Sequence, residues 1–113
     1  MLFTAGIDVG STYTKVIVLD GQRRIIGRAL QHTGFKLTEV ARKTYEEAVA
    51  LAKIRESDVT YVIATGIGRH QVDFKNVHVT DLTASARGTI FLFPGTRTVL
   101  DVGGQTMKAS RVE

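Results

Sequence analysis

The chain opens on three short strand-like runs, the second of them rich in β-branched residues, the make-up of strands and not of helices. Phe3 to Asp8 predicts a first strand, Tyr13 to Leu19 (Tyr-Thr-Lys-Val-Ile-Val-Leu) a second, and Arg23 to Gln31 a third. Asp20-Gly21 is a hairpin signal between the last two. The opening therefore reads as an antiparallel meander whose first turn is Gly10-Ser11-Thr12. The period then changes. Leu37, Val40, Ala41, Tyr45, Ala48, Val49 and Ala52 fall at helical spacing and form one apolar stripe. Glu39, Arg42, Lys43, Glu46, Glu47 and Lys53 occupy the opposite face, with Glu39 and Lys43 at the favourable i,i+4 spacing. That pattern is a helix packed on a sheet, with Glu46-Glu47 on its polar face and not a carboxylate dyad.

Tyr61 to Thr65 predicts a fourth strand, running into Gly66-Ile67-Gly68-Arg69. Strand, helix, strand in that order implies a right-handed crossover to a parallel neighbour. A short strand around Val77 to Thr80 follows, then a helix from Asp81 to near Leu92, stopped by Pro94-Gly95. Arg97 to Asp101 predicts the next strand, and Met107 to Val112 pairs back after the Gly103-Gly104 turn. The expected fold class is α/β: three antiparallel strands plus parallel strands in one mixed sheet, crossover helices, and a C-terminal hairpin.

Composition narrows the functional classes. The 113 residues are 43% hydrophobic and 23% charged, the balance of a soluble globular domain. No apolar run approaches the roughly 18 residues needed to span a membrane. Met1-Leu2-Phe3-Thr4 has no basic signal-peptide start. Cysteine is absent, which excludes disulfides and Cys-ligated metal within these residues, and a cytoplasmic location is the default expectation. The net charge is +4, but the only adjacent basic pairs are Arg23-Arg24 and Arg42-Lys43. No basic stripe with interleaved aromatics marks a nucleic-acid face.

The chemistry concentrates in two stretches, Ala5-Gly6-Ile7-Asp8-Val9-Gly10-Ser11-Thr12 and Val99-Leu100-Asp101-Val102-Gly103-Gly104-Gln105. Each is a strand closed by an Asp and then by Gly or small hydroxyl residues. Such a turn points successive backbone N–H groups at an anion, while the Asp can hold a hydrated cation beside it. Two copies, each followed by a second strand, suggest hairpins closing on one phosphate chain. Asp8 is the candidate Mg²⁺ anchor, through water. Gly10, Ser11 and Thr12 would cradle phosphate. Asp101 would orient the attacking water or the metal, and Gly103 and Gly104 would bring N–H donors to the γ-phosphate. Gln105 would contact that phosphate or the water. Gly66 and Gly68 do not complete a dinucleotide fingerprint, because Gln71 occupies the last place, and no G-K-[ST] exists for a P-loop. His32, His70 and His78 lack metal-ligand spacing and read as surface or satisfied residues.

These elements resemble the actin, sugar-kinase and chaperone ATPase superfamily, with its ribonuclease H-like (actin-like ATPase) subdomain. More closely, Gly6-Ile7-Asp8-Val9-Gly10-Ser11-Thr12 with Lys15 is similar to the first phosphate motif of the activator ATPases of 2-hydroxyacyl-CoA dehydratases and the related benzoyl-CoA reductase subunits. Ala64-Thr65-Gly66-Ile67-Gly68-Arg69 resembles their Ala-Thr-Gly-x-Gly-Arg segment. Asp101-Val102-Gly103-Gly104-Gln105 with Lys108 resembles their second phosphate motif, although Thr106 stands where the family commonly has an acidic residue.

The resemblance implies ATP and Mg²⁺ as ligands and Lys15 as a phosphate contact; the Gly66-Ile67-Gly68-Arg69 segment itself reads as a conformationally sensitive loop beside the cleft. It also implies an acyl-CoA dehydratase or reductase as partner, and a homodimer or related-subunit pair sharing an iron–sulfur cluster. The family's cluster cysteines lie past the matching region. Residues 1–113 are thus expected to be an N-terminal, phosphate-binding half lacking the adenosine-binding half. A sugar-type kinase of the same superfamily and a nucleotide-dependent actin-like scaffold are the alternative expectations.

Overall fold

The structure, a computed structural model, describes residues 2–92, 94–95, 98–102 and 107–111. It divides into two compact units, residues 1–78 and 79–113.

In the first unit, β1 (Phe3–Val9), β2 (Tyr13–Leu19) and β3 (Ile25–His32) form the antiparallel meander, and α1 (Leu37–Leu51) leads to β4 (Val59–Thr65) and the short β5 (Val77–His78). The sheet order is β3-β2-β1-β4-β5, with β4 parallel to β1 and β5 parallel to β4. This is the expected mixed sheet. Because successive strand residues point to opposite faces, the alternation assigns the faces. Ala5, Ile7, Val9, Val16, Val18, Val62 and Ala64 are buried together with Ala41, Tyr45, Ala48 and Val49 of α1. Burying that stripe is the main force holding the helix on the sheet.

One glycine sets how closely helix and sheet approach. A Cβ on Gly27 of β3 would lie 2.3 Å from the Ala48 carbonyl and 2.9 Å from the Ala52 Cβ. The buried polar position in the helix is Thr44, whose hydroxyl donates to the Val40 carbonyl at 2.6 Å. On the polar face, Arg42 pairs with Glu46 at 3.0 Å, and Lys36 pairs with Glu39 at 3.9 Å. The Gln31 amide of β3 donates to Glu47 at 2.7 Å.

The strand limits differ from expectation at two instructive places. β1 runs one residue further than its sequence pattern, because Val9 is itself fully buried, so Asp8 stands inside the strand. β3 begins at Ile25 and not at Arg23. The Asp20 carboxylate accepts the Gln22 amide at 2.8 Å and the Arg24 amide at 3.0 Å, and Arg23 adopts φ 63°. The turn therefore holds Arg23 out of the extended chain.

The second unit contains α2 (Asp81–Leu92) and a hairpin of β6 (Thr98–Val102) and β7 (Met107–Arg111) in antiparallel register. The expected ends of that hairpin at Arg97 and Val112 lie outside the described residues. Among the described residues no helix is long and apolar enough to cross a membrane.

Candidate functional site

Asp8 belongs to the sheet face turned away from α1, because its neighbours Ile7 and Val9 fill the core. The register places Lys15 of β2 opposite it on one side and Thr65 of β4 on the other. Directly opposed residues share a face with Cβ atoms about 4.5–5.5 Å apart. A carboxylate, an exposed cation and a hydroxyl thus stand in one row at the carboxyl end of the two parallel strands.

The turn beside that row is held from behind. Gly10 donates its amide to the Tyr13 carbonyl at 3.0 Å and closes the loop. Thr33, just past β3, donates its hydroxyl to the Gly10 carbonyl at 2.8 Å and its amide to the Thr12 carbonyl at 2.9 Å. The Thr14 hydroxyl meets Thr33 Oγ1 at 3.0 Å. A trans peptide sets C=O and N–H on opposite sides. With the Gly10 carbonyl turned to Thr33, the Ser11 N–H points away from Thr33. Ser11 and Thr12 are exposed. Sequence reasoning missed Thr33 and Thr14, and only the adjacent Thr33-Gly34 pair, with Gly34 at φ 64°, hinted at a turn there.

A second loop closes on the first strand. Gly66, at φ 90°, follows β4 so tightly that a Cβ there would lie 2.4 Å from the Val9 carbonyl oxygen and 2.6 Å from Asp8 Oδ1. The Gly68 amide donates to the Val9 carbonyl at 3.0 Å, and a Cβ on Gly68 would meet Val9 Cγ1 at 2.5 Å. The two glycines let this segment pass against the backbone of β1, a close approach that excludes any side chain. Arg69 opens a 3-10 turn (Arg69–Gln71) and donates Nη1 to the Gly66 carbonyl at 2.9 Å.

Of the second motif, Asp101 lies in β6 opposite Lys108 of β7. Gly103, Gly104 and Gln105 lie outside the described residues.

The histidines are less scattered in space than along the chain. His70 and His78 rings meet edge to face with centroids 4.6 Å apart, and His32 packs on Tyr13 at 4.8 Å. Desolvation, and then the neighbouring charges of His70, Lys75 and Arg69, hold His78 below the ordinary imidazole range. Among the described residues no group of three or more His, Cys, Asp and Glu gathers as a metal site.

The sheet order and the glycine-lined turn at its carboxyl end define an actin-like ATPase class of fold. The chain belongs to the BadF/BadG/BcrA/BcrD ATPase family, whose model matches residues 5–113. It is 34% identical over 113 residues to the (R)-2-hydroxyglutaryl-CoA dehydratase activating ATPase of Acidaminococcus fermentans, covering 99% of this chain and 43% of that protein. The crystal structure of component A of that organism's (R)-2-hydroxyglutaryl-CoA dehydratase superposes with a TM-score of 0.92 at 32% identity, over all of this chain and 44% of the other. The Clostridium difficile activator of 2-hydroxyisocaproyl-CoA dehydratase, solved with bound ADPNP, gives a TM-score of 0.87 at 28% identity, over 98% of this chain and 41% of that one. The chain thus spans less than half the length of the relatives it matches.

Proposed function

We propose that this chain is the phosphate-binding part of an activator ATPase that couples ATP hydrolysis to low-potential electron transfer into an acyl-CoA dehydratase or a benzoyl-CoA reductase. The family match over residues 5–113 carries the reading. The placement of Asp8 between the Gly10–Thr12 turn and the Gly66 loop supports it.

On this reading Asp8 anchors Mg²⁺ through water. Magnesium keeps most of its hydration shell and needs only one or two carboxylates, so a lone strand carboxylate fits it. Ser11 and Thr12 receive the β- and γ-phosphates on N–H and hydroxyl groups, with the Ser11 N–H turned away from Thr33; Gly10, expected as a third donor, spends its own N–H on the Tyr13 carbonyl and contributes the turn instead. Lys15 adds a positive charge in register with Asp8. Mg²⁺ supplies charge neutralisation as the γ-phosphoryl group leaves. The motif assigns Asp101 to orienting the attacking water or the metal, Gly103 and Gly104 to N–H donation toward the γ-phosphate, and Gln105 to the γ-phosphate or the water.

The 113 residues hold no cysteine. They offer an iron–sulfur cluster no thiolate, so the cluster and the two-fold pairing around it belong, on this reading, to other parts of the full gene product. A soluble cytoplasmic protein with an acyl-CoA dehydratase or reductase as partner completes the proposal.

The test is Asp8→Asn and Asp101→Asn in the full natural gene product, assayed for Mg²⁺-dependent ATP hydrolysis and for ATP-driven reduction of the partner enzyme. Removing one such electrostatic contact lowers turnover by on the order of 10² to 10³. A double variant that hydrolyses ATP at the wild-type rate overturns the assignment.

A further inference from the structure

Arg69 lies in a segment that the sequence singled out only as a loop beside the cleft. Its side chain does more than cap its own turn. The Gly66 carbonyl accepts both the Arg69 amide, at 3.2 Å, and the Arg69 guanidinium through Nη1, at 2.9 Å. The same Gly66 is the residue pressed on the Asp8 carboxylate, where even a Cβ would come within 2.6 Å of Oδ1. On its far side Arg69 is pinned in place. The Gln71 amide donates to the Gly68 carbonyl at 3.0 Å, the Val72 amide donates to the Arg69 carbonyl at 3.4 Å, and Val72 is fully buried. Gly68 is itself fastened to the Val9 carbonyl.

The Arg69 Nε is buried and has no hydrogen-bond partner. A buried N–H without an acceptor is costly, so the Arg69 conformation bears that cost while its Nη1 is bonded. The side chain directs its paired donor, Nη1, at the Gly66 carbonyl.

We propose that Arg69 is a positioning residue for Asp8, acting through Gly66: its guanidinium clamps the Gly66 carbonyl and so holds the glycine wall that confines the carboxylate. The inference rests on the reading of Asp8 as the Mg²⁺ anchor. The wall leaves the carboxylate little room to rotate, so its orientation is set before the metal arrives. Without the guanidinium, the Gly66 carbonyl keeps only the longer bond from the Arg69 amide, and Gly66, a residue with wide backbone freedom, confines Asp8 less tightly. The effect falls on Mg²⁺ dependence before it falls on nucleotide affinity.

The experiment uses Arg69→Ala and Arg69→Lys in the full natural gene product, beside Asp8→Asn. Hydrolysis is measured across Mg²⁺ concentration, with thermal melting recorded for each variant. Loss of a group that orients a metal ligand typically costs about 10- to 100-fold. The expected result is a drop of that size for Arg69→Ala, a raised half-saturating Mg²⁺ concentration, and partial recovery on adding guanidinium ion. Arg69→Lys should fall between wild type and Arg69→Ala, because an ammonium can reach the carbonyl but lacks the planar fork.

An Arg69→Ala protein with a lowered melting temperature, unchanged Mg²⁺ half-saturation and no rescue would mark Arg69 as structural only and overturn the proposal. If Arg69→Ala does not fold, Arg69→Lys decides, and wild-type Mg²⁺ dependence in it overturns the proposal equally. Wild-type hydrolysis by Asp8→Asn would instead overturn the underlying site reading.

Discussion

The Thr33 hydroxyl donates to the Gly10 carbonyl at 2.8 Å, and it thereby decides which way the first peptide of the Gly10–Thr12 turn faces. A hydroxyl carries one proton, so the 3.0 Å contact with Thr14 has the Thr14 hydroxyl as donor. The chain of bonds runs Thr14 to Thr33 to Gly10, with both threonines buried.

Thr33→Val keeps the shape of the side chain and removes the link. The Gly10 carbonyl then loses its donor and the Thr14 hydroxyl its acceptor. The expected cost is about 1–3 kcal/mol of unfolding free energy, the range for leaving a buried polar group unsatisfied. Urea denaturation of the variant checks it, and a midpoint equal to wild type would show that the turn is held by other means.

Gly66→Ala meets a harder obstacle. At φ 90° an alanine is strained, and its Cβ would lie 2.4 Å from the Val9 carbonyl oxygen, a backbone atom that cannot move without shifting β1. Strain in such a backbone region alone costs on the order of 1–3 kcal/mol. The variant is expected to melt lower than wild type, and by more than Gly88→Ala, where a Cβ meets nothing within 4 Å. Gly88 is helical, so its substitution by alanine is expected to be neutral or stabilising.

Gly27→Ala probes the sheet–helix distance in the same way without touching the candidate site. A methyl group there would sit 2.3 Å from the Ala48 carbonyl and 2.9 Å from the Ala52 Cβ, so α1 must lift off β3. Overpacking of this kind costs about 1–3 kcal/mol. Equilibrium unfolding measures it. Once the variant is kept well below its melting temperature, its Mg²⁺ dependence should match wild type, because Gly27 lies on the helix side of the sheet.

Local signals were the legible ones. Val16, Val18 and Ile17 announce a strand, and the apolar stripe from Leu37 to Ala52 announces the helix that covers it. The motif around Asp8 was legible for the same reason: carboxylate and turn lie within five residues. The wall formed by Gly66 and the brace formed by Thr33 were not. They stand 58 and 23 residues from Asp8 and Gly10 and meet them only after β4 pairs with β1 and β3 with β2. The two histidines that touch, His70 and His78, show the same limit, since β5 brings them together. Even a local turn can mislead about detail. Asp20-Gly21 marks the hairpin, yet the left-handed backbone falls on Arg23, because the Asp20 carboxylate gathers the amides on either side of it.

That carboxylate gives the last prediction, a dependence of stability on pH. Asp20 is held below the ordinary carboxylate value, first by the Arg24 amide; desolvation opposes this, and the Gln22 amide and the Arg24 side chain at 2.8 Å add to it. A folded-state pKa below the unfolded one means that the unfolded chain takes up the proton first as pH falls. The stabilisation is therefore fully present above the unfolded value and is lost as pH drops from about 4 through the lower folded value. Asp20→Asn removes the titration and the ion pair but leaves Oδ1 able to accept the two amides. The variant should be less stable than wild type at neutral pH, and the gap should narrow below about pH 4. Melting temperatures of both proteins across that range test the sign. A gap that stays constant or widens in acid would show that the Asp20 charge is not what holds the β2–β3 turn.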